Sequence, residues 1–330
     1  MNAPPVLLLS RSAIAKLATT RDYLAAMQTA FADLAHGRFE VPDVGHVPGV
    51  GGMFHIKSAQ RGGSPALAAI KVNGNFPENV VQRRLPTIQG FVALLDAECG
   101  CVLTLLDSIE ITARRTAAAT ALAAKHLAKP GSRTLAMIGC GVQARYHVEA
   151  LLDVAPIESV AFFDPREDAA DAFAECVREL GLQPQRAGDA RTAVRSADIV
   201  VTVTTSTRPL LRLADIGPGT FVAGVGADNP SKHELAPDLL KASRVIVDSL
   251  AQASTMGDLH HAIEAGAMQA ANVHGELAQL AAGKLAGRAH GDELWVFDST
   301  GLSIQDLAAA EMIYERARAA GGVPQIQLSN

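Results

Sequence analysis

Residues 135–147 read LAMIGCGVQARYH, an apolar run that meets two closely spaced glycines and then continues in a helix-like pattern. A hydrophobic strand that ends at Ile138 has no need of Gly139 and Gly141. Each glycine also loses more backbone entropy on folding than any other residue would. The spacing therefore indicates that bare backbone is required at this turn.

The residues that follow this turn place it in a repeated alternation of strands and helices. From residue 134 onward the chain runs through TLAMIG, SVAFFD, REDAADAFAECVREL, ADIVVTVTT, TFVAGVG and SRVIVDS. Apolar strands that alternate with helical stretches are typical of a parallel, doubly wound sheet. The sequence therefore predicts a Rossmann-type α/β domain, with the quoted turn between its first strand and its first helix.

The turn itself fits the dinucleotide-binding pattern G-x-G-x-x-A. Gly139 permits a tight turn, Gly141 permits close approach of a pyrophosphate, and Ala144 permits close packing of the helix. Val142 and Gln143 open the helix whose N-terminus would meet the phosphates. A glycine-bearing turn without a ligand is the alternative, but the strand before it and the helix after it favour cofactor binding.

Asp164 and Arg166 bear on the choice of dinucleotide. Asp164 ends the next strand about 20 residues beyond the glycine pattern, where an acidic residue accepts both ribose hydroxyls and repels a 2'-phosphate. This position favours NAD. Arg166 leaves NADP possible, because an arginine two residues further on can pair with that phosphate.

The first 116 residues predict a different kind of domain. The stretch SAIAKLATTRDYLAAMQTAFADLAHG has apolar residues at helical spacing and predicts one helix that stops at Gly37. Short apolar runs between turn residues predict a meander of strands, with a hairpin around DAECG. The stretches ITARRTAAATALAAKHLA and IQDLAAAEMIYERARAA predict helices. We expect an α+β domain of residues 1–116 with 305–330, and a Rossmann domain of residues 117–304.

The composition argues against several classes of partner. The 330-residue chain has a formal net charge of −5, four cysteines and a pI near 6.1. This charge gives no broad basic field for nucleic acid, so a small-molecule ligand is favoured. The N-terminal MNAPPVLLLS lacks the basic and long apolar regions of a signal peptide, and no later segment has 18 apolar residues without a charge. We expect a cytoplasmic protein with reduced thiols and no membrane contact.

Sequence motifs for other chemistries are missing. The chain has no G-x-x-x-x-G-K-[ST] phosphate loop, no H-E-x-x-H zinc pair and no G-x-S-x-G nucleophile elbow. We expect the adjacent His260 and His261 to be solvated and unable to share a metal, because neighbouring helical positions point in different directions. No metal site is predicted.

Several stretches together resemble the ornithine cyclodeaminase and mu-crystallin family. They are KVNGNFPENVVQRRLPTIQGFVALLD, ITARRTAAATALAAKHLA, IGCGVQARYH, DIVVTVTTS, VGADNPSKHEL and STGLSIQDLAAA, in that family's order and approximate spacing. The resemblance covers nearly the whole chain. It implies an NAD-dependent enzyme of amino-acid metabolism, with the α+β domain binding substrate and forming a homodimer.

The resemblance also implies roles for individual residues. Lys71 matches a lysine that contacts the substrate carboxylate and in some members takes part in proton transfer, Arg115 matches the carboxylate-binding arginine, and Asp228 matches the catalytic aspartate. The other matches are Thr87, Thr300 and Gly301 near the substrate, and Thr204 and Thr205 beside the cofactor.

Three of these residues also have interpretations that do not depend on the family resemblance. Lys71 is then a solvated strand lysine, and Arg115 pairs with a glutamate on a helix surface. Asp228 follows a strand at its carboxyl end, where doubly wound sheets bind their ligands, so its position favours function even unaided.

One departure from the family pattern affects the expected substrate. Many members carry an arginine in the stretch that corresponds to VPDVGHV, where it helps to hold the substrate carboxylate. Here His46 is the nearest basic side chain, and a histidine cannot replace the bidentate fork of an arginine. Ornithine itself is therefore in doubt.

Three functions stay open at this point. An ornithine cyclodeaminase converts L-ornithine to L-proline and ammonia through a bound imine, without net redox change. A ketimine reductase or an alanine-type dehydrogenase transfers the hydride once and consumes the cofactor. A mu-crystallin-like protein of this fold would instead bind a ligand without significant turnover.

Overall fold

The computed structural model describes residues 4–328 and divides into two compact units. The first unit contains the chain up to Thr116 and from Leu302 onward, and the second contains Ala117–Gly301. The C-terminal boundary lies at residue 302 rather than at residue 305, because the whole of the last long helix belongs to the first unit. The substrate-binding role expected for the first unit stays a prediction.

The first unit is a mixed sheet with helices. Its strands are β1 Val6–Leu9, β2 Phe39–Glu40, β3 Gly45–Gly49, β4 Gly52–Arg61, β5 Leu67–Asn75, β6 Ile88–Asp96, β7 Val102–Asp107 and β18 Gln325–Ile326. Its helices are α1 Arg11–Leu17, α2 Thr20–Ala35, α3 Asn79–Arg83, the first part of α4 Ser108–Leu127, and α12 Ser303–Ala320. Residues 1–3 of the N-terminal stretch lie outside the described residues, and its apolar run forms β1.

The sheet of the first unit runs in the order β18-β1-β7-β6-β5-β4-β2, with β3 paired to β4. Strands β1 and β7 are parallel, and the neighbouring pairs from β7 to β4 are antiparallel, including the predicted hairpin of β6 and β7. Helix α12 packs on α2, β4 and β5. This packing brings residues from the two ends of the chain into one core.

The prediction of a single N-terminal helix is wrong. The chain forms α1 and α2, because Ala18 is extended and Thr19 begins a new helix. The Thr19 hydroxyl accepts from the Asp22 backbone N–H, and the Asp22 carboxylate accepts from the Thr19 backbone N–H at 2.8 Å. This reciprocal capping box satisfies two N-terminal donors, and its local signal outweighs the continuous apolar spacing.

The second unit is built around a parallel sheet. Its strands are β8 Thr134–Ile138, β9 Ser159–Phe163, β10 Gln183–Arg186, β11 Ile199–Thr202, β12 Thr207–Leu211, β13 Phe221–Gly224, β14 His233–Leu235, β15 Arg244–Val247, β16 Gly275–Glu276 and β17 Trp295–Asp298. Its helices are the rest of α4, α5 Val142–Leu152, α6 Glu167–Glu179, α7 Ala190–Val194, α8 Pro237–Ala242, α9 Leu250–Ala253, α10 Gly257–Glu264 and α11 Leu277–Ala281, with short 3-10 turns at Leu213–Asp215 and Ala270–Asn272.

The main sheet of this unit runs in the order β10-β9-β8-β11-β13-β17-β15-β16, and all of its pairs are parallel. Strands β12 and β14 form a separate parallel pair. Strands β11, β13 and β17 are buried along their whole length, as expected when helices cover both faces of a sheet. This is the doubly wound sheet that the sequence predicts. Among the helices of residues 4–328, none is both long and apolar enough to cross a membrane.

Candidate active site

Two buried cations of the first unit meet on one carboxylate. Lys71 lies on β5, Arg115 on α4 and Asp306 on α12, and each is at most 4% exposed. Lys71 Nζ lies 2.5 Å from Asp306 Oδ2, and Arg115 Nε lies 3.0 Å from Asp306 Oδ1. Arg115 also donates from Nη1 to the side-chain oxygen of Gln305. The interpretations of Lys71 as solvated and of Arg115 as a surface arginine are therefore wrong. We call Lys71, Arg115 and Asp306 the cation cluster.

The surroundings shift the pKa values within the cation cluster. Burial lowers the pKa of Lys71 to about 7, with Asp306 opposing the shift and Arg115 adding to it. Burial by itself would raise the pKa of Asp306, but the charges of Arg115 and Lys71 outweigh it and the pKa is lowered. Asp306 therefore stays ionised, while Lys71 exchanges a proton close to neutral pH.

A third cation lies beside this cluster. Lys57 on β4 is directly opposite Lys71 on β5, and its charge also lowers the pKa of Lys71. Like charges at opposite positions of neighbouring strands destabilise each other. A bound carboxylate would reduce this repulsion, and it would suit the planar fork of Arg115. The cluster is therefore chemically suited to an anionic ligand.

Thr87 and His46 lie in other parts of the first unit. Thr87 is half-buried just before β6, and its carbonyl accepts from the Phe76 backbone N–H at 2.8 Å. His46 is exposed on β3, with its ring edge-on to His55 at 5.0 Å between centroids. The part of Thr87 in substrate binding stays a prediction.

The two glycines of the quoted turn differ in what requires them. Gly139 has a φ of +94°, and a Cβ there would lie 2.9 Å from the Val203 carbonyl oxygen, so the fold itself demands glycine. Gly141 has an ordinary φ of −76°, and a Cβ there would meet nothing within 4 Å among the described residues. The bare backbone at Gly141 thus faces open space, as a close-lying pyrophosphate would require.

The start of α5 has unused hydrogen-bonding capacity. Gly141 is its N-cap and supplies no side-chain acceptor, and Val142 beside it is 69% exposed. The Gln143 side-chain oxygen is buried and has no hydrogen-bond partner within residues 4–328. Backbone N–H groups at an uncapped helix start favour an anion, so this turn fits a dinucleotide phosphate. Ala144 is completely buried, in line with its expected packing role.

Asp164 directly follows β9 and stabilises the turn by hydrogen bonds. Its Oδ2 accepts from the Cys140 backbone N–H, and its Oδ1 accepts from the Arg166 backbone N–H, both at 2.9 Å. Burial alone would raise its pKa, but these hydrogen bonds outweigh it and the pKa is lowered. The Asp164 side chain is 7% exposed, whereas that of Arg166 is 64% exposed. Contact of Asp164 with the ribose stays a prediction.

A buried glutamate joins two loops at the carboxyl edge of the sheet. The Glu234 carboxylate accepts from Thr204 N at 2.6 Å and from Gly226 N and the Thr202 hydroxyl at 2.7 Å each. It is completely buried, and burial raises its pKa against these hydrogen bonds. Glu234 thereby fixes the loop of Thr204 and Thr205 after β11 to the loop after β13. Thr205 is exposed, and the cofactor contacts of both threonines stay predictions.

Two further buried carboxylates extend this arrangement. Asp258 accepts from the backbone N–H groups of Glu234 and Leu235 at 2.8 and 3.0 Å, and Asp298 accepts from Leu259 N at 2.8 Å. Burial and repulsion from Asp298 raise the pKa of Asp258 well above its ordinary value, and burial raises that of Asp298 to about 7. The pair therefore holds a proton near neutral pH. We call Glu234, Asp258 and Asp298 the carboxylate cluster.

Thr300 and Gly301 follow β17 and are held by Asp248 at the end of β15. Asp248 Oδ2 accepts from both of their backbone N–H groups, at 2.8 and 2.6 Å, and its Oδ1 accepts from the Thr300 hydroxyl at 2.8 Å. Gln252 also donates to that hydroxyl at 2.8 Å. The loop is thus rigidly held, and its contact with a substrate stays a prediction.

Asp228 lies on the loop after β13 and has a different environment from the buried acids. Its side chain is 55% exposed, and its Oδ1 is 2.7 Å from the Lys232 ammonium nitrogen. Asn229 donates weakly to the same oxygen at 3.4 Å. An exposed carboxylate at the carboxyl end of a sheet strand can reach a ligand proton, so its predicted catalytic role stands as a prediction.

Comparison with protein-family models gives a match to residues 6–321 of this chain, with the model of the ornithine cyclodeaminase/mu-crystallin family. The chain belongs to this family. The resemblance predicted from the motifs is therefore confirmed.

Two members of the family are similar to the chain over almost its full length. An alanine dehydrogenase of Archaeoglobus fulgidus is 32% identical over 94% of this chain and 95% of its own. An iminosuccinate reductase of Paracoccus denitrificans is 32% identical over 98% of this chain and 100% of its own.

Solved structures of the family have the same fold. An archaeal alanine dehydrogenase dimer with bound NAD matches with a TM-score of 0.93 and 32% identity, over 98% of this chain and 100% of its own. Thermococcus litoralis Δ1-pyrroline-2-carboxylate reductase, in complex with NADH and L-proline, matches with a TM-score of 0.92 and 30% identity, over 97% and 100%. The predicted fold class is confirmed.

The sequence reasoning missed Asp306, Gln305 and the carboxylate cluster of this family member. A charged residue in the otherwise uncharged LSIQDLAAA was a usable signal, because a buried aspartate must have a partner. The expectation that His260 and His261 are solvated and point in different directions is also wrong. Both are half-buried, and their ring nitrogens and a Glu264 oxygen lie within 4.8 Å of one another, because the rings turn toward the same side of α10.

Proposed function

We propose that the chain is an NAD(H)-dependent oxidoreductase of α-amino and α-imino acids. The observation that carries this proposal is the cation cluster, in which Lys71 and Arg115 are buried and share a single carboxylate, Asp306. The α-carboxylate of an amino or imino acid supplies the anion that such a pair binds best. The substrate is therefore a small molecule rather than nucleic acid.

NAD is the cofactor we propose for the Gly139–Ala144 turn. Gly141 faces open space, α5 has an uncapped N-terminus, and similar structures carry NAD or NADH. Bound NAD(H) would supply hydride transfer to or from the substrate α-carbon. The ionised Asp164 favours NAD over NADP, although the exposed Arg166 keeps NADP possible.

We assign the remaining steps to residues of this chain. Arg115 and Lys71 hold the substrate carboxylate and so orient the α-carbon. Lys71, with its pKa near 7, also holds or releases a proton at Nζ near neutral pH. Asp228 accepts and returns a proton at the substrate nitrogen. Thr87, Thr300 and Gly301 line the substrate in this proposal.

Net reduction of an imine, or its reversal, is the reaction that the relatives favour. An alanine dehydrogenase, an iminosuccinate reductase and a Δ1-pyrroline-2-carboxylate reductase match at 30–32% identity over 94–98% of the chain. A cyclodeaminase without an assigned substrate matches at 34% identity over 87% of the chain. An ornithine cyclodeaminase is the second candidate, on the strength of the family match. The stretch around His46, which lacks an arginine, makes ornithine the less favoured substrate.

One assay separates these functions. The protein is incubated with NADH and pyrroline-2-carboxylate, with NADH, ammonia and pyruvate or oxaloacetate, and with NAD and ornithine, while NADH absorbance and ammonia are followed. We expect NADH consumption with at least one imine. Ammonia and proline formed from ornithine without accumulation of NADH would identify a cyclodeaminase. Tight cofactor binding without turnover of any substrate would favour the mu-crystallin-like alternative.

The cofactor site has its own test in the two glycines of the turn. Gly141→Ala should leave the unfolding free energy nearly unchanged, because its Cβ meets open space, but it should weaken NADH binding by roughly tenfold or more. Gly139→Ala is the matched control and should destabilise the fold by about 1–3 kcal/mol, because its φ is positive. Unchanged NADH affinity in folded Gly141→Ala protein contradicts the assignment.

We further propose a homodimer that covers the outer face of the sheet in the first unit. Leu8, Phe54, Ile70 and Phe91 lie on neighbouring parts of this face, and each is 37–44% exposed. An apolar sheet face of this kind is typical of an interface, and the archaeal relative is a dimer. Sedimentation at micromolar concentration should give twice the chain mass. Phe91→Glu should shift the distribution toward monomer.

We propose that the protein is located in the cytoplasm. All four cysteines are free thiols, which suits a reducing compartment. Fractionation of cells that express the protein at its natural level would test this.

A further inference from the structure

Three side chains of α10 face one another beside the Asp228 loop. His260, His261 and Glu264 each bring one ring nitrogen or carboxylate oxygen to a common point, and these atoms lie within 4.8 Å of one another. His260 Nε2 and Glu264 Oε2 are 3.5 Å apart. The His260 side chain is 18% exposed and that of Glu264 is 64% exposed, so the group is open to solvent on one side.

A hydrogen bond fixes the tautomer of the His261 ring. Its Nε2 lies 2.9 Å from the Lys232 carbonyl oxygen, and a carbonyl only accepts, so Nε2 carries the hydrogen. In the neutral ring Nδ1 then carries the free lone pair. A backbone carbonyl that fixes the tautomer of a histidine is the usual outer partner of a metal-bound imidazole.

His233 packs against the same ring. The two rings stack with centroids 4.0 Å apart and planes 13° from parallel, and His233 Nε2 donates to the Leu235 carbonyl oxygen at 3.0 Å. These contacts hold the His261 ring in place from a second side.

We propose that His260, His261 and Glu264 bind one divalent transition-metal ion of the zinc type. Two imidazole nitrogens and one carboxylate oxygen are the ligands that Zn²⁺ takes, with water in the fourth position of a tetrahedron. Mg²⁺ prefers six oxygen ligands and does not suit the set. The proposal of a metal ion does not rest on the function proposed above. Its ion would strengthen the hydrogen bond from His261 to Lys232, whose ammonium group pairs with Asp228.

Calorimetric titration with Zn²⁺ alone tests the proposal. Cys99 is exposed and Cys101 is next to it on the hairpin, so both are first changed to serine to remove thiols that would themselves bind zinc. We expect this chain to bind one Zn²⁺ with micromolar affinity, and 1 mM Mg²⁺, a concentration set on the order of free cellular levels, should not compete.

Variants locate the ion. In the same background His260→Asn and Glu264→Gln should each weaken Zn²⁺ binding by roughly tenfold or more, which is at least the loss caused by removing outer partners of a metal. His260 rather than His261 is replaced, because His261 also donates a hydrogen bond to the Lys232 carbonyl oxygen. His46→Asn is the matched control, since His46 belongs to another histidine pair, and it should leave binding unchanged. Absence of a micromolar site, or binding that His260→Asn leaves intact while circular dichroism shows a folded chain, overturns the proposal.

Discussion

Both units of the molecule bury charged side chains, but they satisfy them in opposite ways. In the cation cluster of the first unit, Lys71 and Arg115 are paired with the side chain of Asp306. In the carboxylate cluster of the second unit, Glu234 is held mainly by backbone N–H groups of two loops, and Asp258 by those of strand β14. A charge paired with another side chain depends on one partner, whereas a charge held by backbone donors depends on the local fold. The two clusters should therefore respond differently to the same kind of substitution.

The largest effect on stability is expected from Asp306→Asn. The substitution keeps the volume but leaves Lys71 and Arg115 buried without their carboxylate, which costs about 3–5 kcal/mol. Urea unfolding should be measured at pH 6, where Lys71 of the wild-type chain, with its pKa near 7, is still charged. Glu311→Gln on the same helix is the matched control. The side chains of the Arg61–Glu311 pair are 16–17% exposed, so the loss of this pair should lower the unfolding free energy by less. Equal losses in the two variants would show that the buried pairing has no special weight.

Asp228→Asn should affect rate and leave stability unchanged, unlike Asp306→Asn. Asp228 is 55% exposed, so the loss of its charge has little effect on folding. Turnover with the preferred imine should fall by roughly 100-fold or more, the scale of general acid-base catalysis and about 2.7 kcal/mol of barrier. Cofactor affinity should not change. Asp238→Asn, an exposed aspartate on α8, serves as control, and an intact rate in Asp228→Asn would make that residue structural.

Glu234→Gln should cost less than Asp306→Asn, because its partners are neutral. The amide nitrogen of glutamine cannot accept the hydrogen bond from Thr204 N or Gly226 N, so one buried donor is left unsatisfied at about 1–3 kcal/mol. Thr202→Val removes only one hydroxyl donor and should cost about 1 kcal/mol. Both values come from urea unfolding. A loss in Glu234→Gln above that in Asp306→Asn would reverse the comparison between the clusters.

Two buried groups should give stability opposite pH dependences. The pKa of Asp298 is raised from 3.8 to about 7, so the folded chain keeps a proton that the unfolded chain releases, and stability falls as pH rises from about 4 to 7. The pKa of Lys71 is lowered from 10.5 to about 7, so the unfolded chain keeps the proton and stability rises between about pH 7 and 10.5. Each group contributes at most about 1.4 kcal/mol per pH unit.

Variants of the two residues assign these slopes. Asp298→Asn should reduce the slope between about pH 4 and 7, where Asp258 also contributes, and leave the alkaline change in place, because Lys71 is untouched. Lys71→Met should do the reverse. Unfolding free energies measured at intervals across both ranges are the readout. If either variant leaves its own range unaltered, another group titrates there.

Local patterns in the sequence predicted the parallel sheet, the turn at Gly139 and the C-terminal helix, because periodicity and glycine spacing act over short distances. The signal that divides the first helix lies in the same stretch, as the Thr19–Asp22 capping box, but the prediction gave more weight to the apolar spacing. The family resemblance identified Lys71 and Arg115 as site residues, and composition gave no sign that they are buried.

The partners of the buried charges could not be predicted in the same way. Arg115 and Asp306 are 191 positions apart, and the Lys232 carbonyl that orients His261 is 29 positions from it. Such pairs depend on the packing of α12 and on loop geometry, which periodicity does not encode. The wrong expectation for His260 and His261 has the same cause, since helical spacing fixes the directions of Cβ atoms but not the rotation of long side chains.

The residue between the two glycines of the turn has a practical consequence for labelling. Cys140 is buried, and burial raises the pKa of its thiol to about 12, so almost none of the reactive thiolate forms at neutral pH. Cys99 is exposed on the hairpin of the first unit. A maleimide fluorophore should therefore attach at Cys99 and spare the dinucleotide turn, which makes the wild-type chain suitable for fluorescence titrations of cofactor and substrate.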